Sequence, residues 1–416
     1  MNCVIRDRSD GLFVPANLIY SAGSSASITN TGNSISGNEM FNFTARGIQT
    51  TSIGNENWTI SSNQIYQTAA RTSALYGVDF NSLGTNLITL NTIRSLNTTV
   101  EVRGILINDA RGTTVSRNKI SMIDVNGGTS AWTGIYLNGS SGTAVSVTLV
   151  NNQVTLIPLT STSMTIRGIY DWMYTGNTLN GYYNSVLVGG TATGSTTWAY
   201  QRATSSPSTS LLRNNLFFNN RTGGTVNHFA LGDQSSGSGT FNVSNNVYVG
   251  TGITAANFMD RGTNSAGTAE SFSAWKTAKS VLASYASIAS SLSAVNLFSA
   301  AATGDLNITP GNTECWSVNG KGIALTGNAD DYSATGVRSA SAGTSSDIGS
   351  DEFIPTGAAV NAPTATASGL PAVSTTTSYT VTANKVGSIV WGAGGTVPTS
   401  LTFRYYSGSQ APSAVP

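Results

Sequence analysis

The sequence predicts an all-β chain whose main body is a right-handed parallel β-helix, a solenoid of about eight irregular coils of roughly thirty residues each. Three observations carry that prediction. The composition is poor in charge and rich in Gly, Ser, Thr and Asn; an Asn-x-apolar triplet recurs along the chain; and a Gly-Ile or Gly-Val step follows the triplet in most coils. A short helix near the C-terminal end of the solenoid and a partial β-sandwich-like segment after it complete the expected architecture.

Composition sets the class. The chain has 416 residues, more than one ordinary domain, so two or three units are expected unless the fold is an elongated repeat. Only 9% of residues are charged, against about 25% in a typical soluble domain. Ser, Thr and Asn compete locally with helical hydrogen bonding, so this mix favours strands joined by tight turns. With 39% hydrophobic residues and a net charge of +1, the chain is not composed like a disordered one. The near-neutral balance leaves no electrostatic footprint for nucleic acid. No stretch reaches the ~20 apolar residues that span a bilayer, so membrane insertion is not expected.

The triplet falls at Asn33/Ile35, Asn63/Ile65, Asn91/Ile93, Asn118/Ile120, Asn152/Val154, Asn177/Leu179, Asn215/Phe217 and Asn246/Tyr248. The steps between asparagines are 30, 28, 27, 34, 25, 38 and 31 residues. Three residues before the Asn, most coils are apolar (Ile60, Ile88, Val115, Leu149, Leu212, Val243). Alternation of period two around a fixed Asn marks a short strand with one buried face. Stacking the coils places Ile35, Ile65, Ile93 and Ile120 in one interior ladder. The asparagines then stack at a corner, their amides bonding along the axis.

The Gly step reads Arg46-Gly47-Ile48, Tyr76-Gly77-Val78, Arg103-Gly104-Ile105, Thr133-Gly134-Ile135 and Arg167-Gly168-Ile169. A Gly opening a strand is expected to supply a corner with φ > 0. Two strands per coil follow from these two marks. Beyond the coils, Ala-rich helical spacing predicts a helix from about Phe272 to Leu292. A Pro- and Gly-rich linker begins near Pro355, and Tyr379-Thr-Val-Thr and Leu401-Thr-Phe-Arg are expected strands of a truncated immunoglobulin-like segment. The expected domains are therefore 1–354 and 355–416.

One local motif is more specific. Asp347-Ile-Gly-Ser-Asp-Glu-Phe353 resembles the Asp-Ile-Gly-Ala-Asp-Glu-Phe sequence that closes bacterial surface β-helix proteins common in Bacteroidetes-like bacteria exporting by the type IX route. Trp275, Gly304-Asp305-Leu306-Asn307-Ile308, Asp331-Tyr332 and Arg338 resemble that family in the same order. Ser350 stands where the family has Ala, and the stretch Asp331–Arg338 is looser than its counterpart. The resemblance implies a secreted or cell-surface protein. No signal peptide is visible at Met1-Asn-Cys-Val-Ile, so a processed piece of a longer chain is expected.

Candidate sites are few. Cys3 and Cys315 lie far apart in sequence, and His228 is the sole histidine, so neither a disulfide framework nor a metal site is expected. The expected cofactor set is therefore none, with Ca²⁺ at Asp330-Asp331 the one candidate. A lyase needs an acidic cluster with a base, and a glycosidase needs two carboxylates ~5–9.5 Å apart. Asp79, Asp109, Asp171 and Asp233 fall at similar offsets within their coils, with Asp79 and Asp109 the one pair on neighbouring coils. Those two are the weak catalytic candidates; turn-stabilising Asp is the alternative reading. Arg46, Arg103 and Arg167 invite anion binding, with solvation or pairing to Asp as the alternative. With Ile135 and Ile169 inward, Tyr136 and Tyr170 point outward, and with Trp132 and Trp172 they form a candidate sugar-binding surface.

Three functions follow. The leading one is a non-catalytic extracellular cell-surface protein, an adhesin or spacer whose candidate partner is a polysaccharide. The second is a polysaccharide lyase or glycoside hydrolase. The third is a purely structural or self-assembling surface element.

Overall fold

The computed structural model describes residues 3–356 apart from 9, 11, 24–27, 52–53, 110, 140–143, 204–207, 236–238, 251–257, 263–266, 280–291, 335–337 and 339–345. All of them belong to the first of the two units into which the chain divides, Met1–Ala358. The expected sandwich-like strands lie outside the described residues.

The chain folds as a parallel β-helix. Three long sheets run its length: an eight-stranded sheet I, a nine-stranded sheet II and a ten-stranded sheet III. Every neighbouring pair in them is parallel except the last pair of sheet III, where Ala269–Glu270 turns back against Met259–Asp260. Each coil therefore has three strands, not the expected two. In one coil Thr113–Ser116 lies in sheet I, Lys119–Met122 in sheet II and Trp132–Gly139 in sheet III. Sheets I and II meet at a two-residue corner, so their strands read in sequence as one alternating run around an Asn.

The corner has a defined conformation. Arg117 is left-handed at φ 52, and Asn118 after it is buried. Ser62, Leu90, Asn151, Tyr183, Asn214 and Asn245 are left-handed at the same position, and Gly37 takes it in the first coil. An L-residue is disfavoured there by roughly 1–2 kcal/mol. The Asn that follows compensates by binding three parts of the wall. In the Asn118 rung, its backbone N–H and Nδ2 both donate to Asn152 Oδ1, and Nδ2 also donates to the Ile88 carbonyl at 2.9 Å. Its own Oδ1 accepts from Asn91.

The ladder consists of Asn38, Asn63, Asn91, Asn118, Asn152, Asn184, Asn215 and Asn246, joined by amide bonds over steps of 25, 28, 27, 34, 32, 31 and 31 residues. Asn33 and Asn177, expected in it, are not rungs. Both precede sheet I strands, Ser34–Ser36 and Thr178–Tyr182, and Asn177 instead accepts from the Val145 N–H. Asn38-Glu-Met40 and Asn184-Ser-Val186 match the triplet equally well, so the pattern alone does not select among them. The same correction moves Ile35. It pairs with Ile60 in sheet I, while Met40, Ile65, Ile93 and Ile120 share the sheet II ladder.

The Gly column also has a different cause from the one expected. Gly47, Gly77, Gly104, Gly134 and Gly168 are not among the residues with positive φ. They sit where the wall of sheet III comes closest to sheet II. A Cβ on Gly104 would stand 2.6 Å from the Gly134 carbonyl oxygen and 2.6 Å from Ile120 Cγ2. Ala199 and Ala230 continue the same column in later coils, where the wall has room for a methyl group.

At the far end the helix α1 (Phe272–Ala278) lays Trp275 and Phe272 over Tyr248 and Phe241, closing the interior. Residues 280–291 of the predicted helix lie outside the described residues. The chain then returns along the outer face of sheet II. Phe298 packs on Phe218, Gln153 binds the Leu306 N–H and Asn307, and Ser185 receives the Ser350 N–H at 2.9 Å. The Asp-Ile-Gly-Ser-Asp-Glu-Phe segment folds as a clip. Asp347 accepts from the N–H groups of Gly320 and Phe353, Asp351 from that of Ile308, and Glu352 pairs with buried Arg338 at 2.9 Å. Arg338 in turn bonds Asn151 and covers the Tyr183 ring at 4.0 Å. The outward residues of the left-handed corners thus become docking points for this segment, with Asn214 and Asn245 bonding Ile323 and Lys321.

Candidate ligand-binding face

Sheet III carries the chemistry. Its strands alternate, so the residue before each Gly of the column faces outward. Register places Asn17, Arg46, Tyr76, Arg103, Thr133, Arg167, Trp198 and Phe229 in one outer row. A second outer row runs Asp79, Leu106, Tyr136, Tyr170 and Gln201. A third runs Asn81, Asn108, Asn138 and Trp172.

Cations and rings interleave on this face. Arg46 and Arg103 both lie 4.9 Å from the Tyr76 centroid. Arg103 also covers Tyr136 at 4.3 Å, and Arg167 covers Tyr170 at 4.4 Å. Tyr136, Tyr170 and Trp172 form a continuous ring cluster with centroids 5.0–6.5 Å apart, which Tyr174 extends. Burial pushes the Tyr136 and Tyr170 hydroxyls up, and burial together with a hydrogen bond to Glu101 raises Tyr76 to about 12. The phenols are therefore neutral hydrogen-bonding groups at ordinary pH. Beside the rings lies an amide row: Asn138 donates to Asn108 at 2.8 Å, and Asn108 to Asp79 at 2.8 Å.

The structure divides the four expected ligand residues. Tyr170 and Trp172 are half-buried and outward, as expected. Tyr136 is on the same face but only 6% exposed, covered by its neighbours. Trp132 is a core residue. It occupies an inward position between Val102 and Ile166 and is fully buried, so it presents no face to a ligand. Alternation puts Trp132 and Tyr136 on opposite sides of the sheet because the backbone irregularity at Gly134 shifts the phase between them. Tyr76 and Tyr174 join the face without having been singled out, whereas Trp198 shares the register of the outer row but is covered, at 1% exposed. Tyr76 was legible, since it shares the pre-Gly position with the three arginines.

The carboxylates do not assemble a hydrolytic pair. Asp79 faces outward, paired with Arg46 at 2.6 Å, and stands opposite Leu106. Asp109 lies beyond the end of its strand at a left-handed residue, three positions past that rung. Asp171 and Asp233 face inward instead, in one interior column with Arg202 between them. Asp171 accepts from Ser210 and Tyr200 at 2.6 and 3.0 Å, and burial raises its pKa. Asp233 pairs with Lys279 at 2.8 Å. These two carboxyl groups are sealed in the wall and serve its internal hydrogen bonding and packing.

His228 is likewise internal. The Gly223 carbonyl can only accept, so Nε2 carries the proton and Nδ1 accepts from the Thr197 hydroxyl at 2.9 Å. Burial lowers its pKa, keeping the ring neutral. At the Ca²⁺ candidate, the Asp331 carboxylate accepts from Ser333 and from the Glu352 N–H, and the Asp330 carbonyl accepts from Asn151 and Arg338. Among the described residues no group of three or more His, Cys, Asp or Glu is placed to hold a metal. Cys3 is exposed, and Cys315 is buried with its thiol donating to the Pro310 carbonyl.

No family model matches the chain, and no curated protein or solved structure matches it. The face described above is therefore read on its own chemistry.

Proposed function

We propose that this protein is a non-catalytic extracellular β-helix, an adhesin or spacer, that binds an extended polysaccharide along the outer face of sheet III. The observation that carries the reading is the row of half-buried rings, Tyr170, Trp172 and Tyr174, bordered by the Asn108–Asn138 amides and by arginines. Sugar rings offer apolar C–H faces to aromatic side chains and hydroxyls to amides, so this combination suits a glycan. Coils stacked ~4.8 Å apart run the asparagine row and the arginines along the axis beside these rings, which suits a polymer better than a small ligand. The secreted location rests on the charge-poor composition and on the closing motif at Asp347–Phe353.

A glycan array tests the reading. Binding to defined oligosaccharides is expected, with Trp172→Ala weakening it about ten-fold, the equivalent of the ~1.4 kcal/mol that an aromatic contact can contribute. Silence across the array would leave only a structural role. Shortened or unsaturated products on incubation with pectin, alginate or chondroitin would favour the enzymatic alternative.

A further inference from the structure

The three arginines of the outer row differ in one respect. Arg46 is paired with Asp79, and Arg103 binds Glu101 through both Nε and Nη2, at 3.0 and 2.7 Å. Arg167 has no carboxylate partner among the described residues. Its Nε donates to Gln201 Oε1, and that amide is held in turn. Gln201 Nε2 donates to Gln234 Oε1 at 2.7 Å, Gln234 Nε2 to Asp260 Oδ2 at 2.7 Å, and Trp198 Nε1 to the same oxygen at 2.8 Å. This relay across three coils fixes the Nε edge of the guanidinium. The Tyr170 ring at 4.4 Å and the Trp198 ring at 5.7 Å fix its plane.

Such an arrangement spends one edge of the fork on positioning. The two Nη groups, the pair that grips a carboxylate through parallel hydrogen bonds, have no protein acceptor among the described residues. A half-buried guanidinium without a counter-ion is costly to desolvate, and burial lowers its pKa accordingly. An anion arriving on the Nη edge would relieve that cost, and the guanidinium is already oriented for it. Trp172 is two residues beyond Tyr170 on the same outward side, so a sugar ring lying against Trp172 can extend an acidic substituent toward Arg167.

We propose that Arg167 is the anion-recognition residue of this face, taking the carboxylate of a uronic-acid unit in an acidic polysaccharide. The proposal rests on the glycan-binding reading above and specifies its ligand class.

The test compares polygalacturonate with the same polymer after reduction of its carboxyl groups, by affinity electrophoresis of the full chain. The wild-type protein is expected to bind the acidic polymer about ten-fold more tightly than the neutral one, the size of a charge-assisted contact of ~1.4 kcal/mol. Arg167→Gln is expected to bring that ratio to near one, lowering affinity for the acidic polymer about ten-fold more than affinity for the neutral one. Arg167→Lys, which keeps the charge and loses the fork, should fall between. Equal wild-type affinity for both polymers would overturn the Arg167 assignment and leave glycan binding standing. Binding to neither would overturn both. Tighter, Arg167-dependent binding of dextran sulfate would replace the carboxylate with a sulfate and also overturn the assignment as stated.

Discussion

At the scale of single residues, the Asn at each corner satisfies the backbone where two sheets part. Its amide meets the backbone of the coil on one side and the side chain of the coil on the other, so truncation orphans several buried groups together. For Asn118→Ala these include the Ile88 carbonyl and both Asn91 donors. An orphaned buried polar group costs about 1–3 kcal/mol, so a loss of about 3 kcal/mol in urea unfolding is expected. Asn33→Ala is the contrast, because Asn33 is half-buried and, among the described residues, its amide donates only to Asn30. Its expected loss is within about 1 kcal/mol. Similar losses for the two variants would refute the ladder assignment. That distinction was invisible to the triplet, which both asparagines satisfy. The sign that separates them is the left-handed residue in front of each true rung, and only Gly37 and the asparagines Asn151, Asn214 and Asn245 announce that in their residue type.

Elements raise a different question, how three strands share one coil. The Gly column answers part of it, because sheet III can approach sheet II only where no side chain intervenes. Gly104→Ala would force a methyl group against the Gly134 carbonyl and Ile120. Overpacking of a tight core costs about 1–3 kcal/mol, and a drop of that size in thermal or denaturant stability is expected. Ala199→Gly, at the same column in a roomier coil, should lose about 0.5–1 kcal/mol from backbone entropy. Equal tolerance at both positions would show that the column is not a steric seam. Sequence made the column visible and misassigned its cause, since Gly recurring before an apolar residue fits a positive-φ corner and a close approach equally well.

For the whole described solenoid, the decisive feature is the segment that returns over sheet II. It buries Asp351 and Glu352, and burial raises both carboxyls to about 7. Arg338 pulls both down, pairing with Glu352 at 2.9 Å, and burial outweighs it. Both groups hold their protons more tightly in the folded chain than in the unfolded one. Stability is therefore greatest below the ordinary carboxylate range and falls as pH rises toward about 7, then levels. Tm is expected to be higher at pH 5 than at pH 8. Asp351→Asn, which preserves an acceptor for the Ile308 N–H, should reduce that difference. A wild-type Tm that is flat or rises over this interval would rule out the clip carboxyls as its source.

The sequence by itself determined the solenoid, its period and the place of the Gly column. These are properties of alternation and turn chemistry, and they act between residues close along the chain or one coil apart. Tertiary structure decided which asparagines align, which aromatic residues stay in reach of solvent and which sheet is covered. Trp132 and Trp172 are equally aromatic in sequence, and only the phase of the strand around Gly134 sends one inward. The covering of sheet II depends on contacts such as Gln153 to Asn307 and Ser185 to Ser350, separated by 154 and 165 residues. No local periodicity encodes such pairings, because their energy arises only when the coils have already formed a surface. Sheet III keeps its outer rows, where Arg167 is held by Gln201 on its Nε edge and lies over the Tyr170 ring.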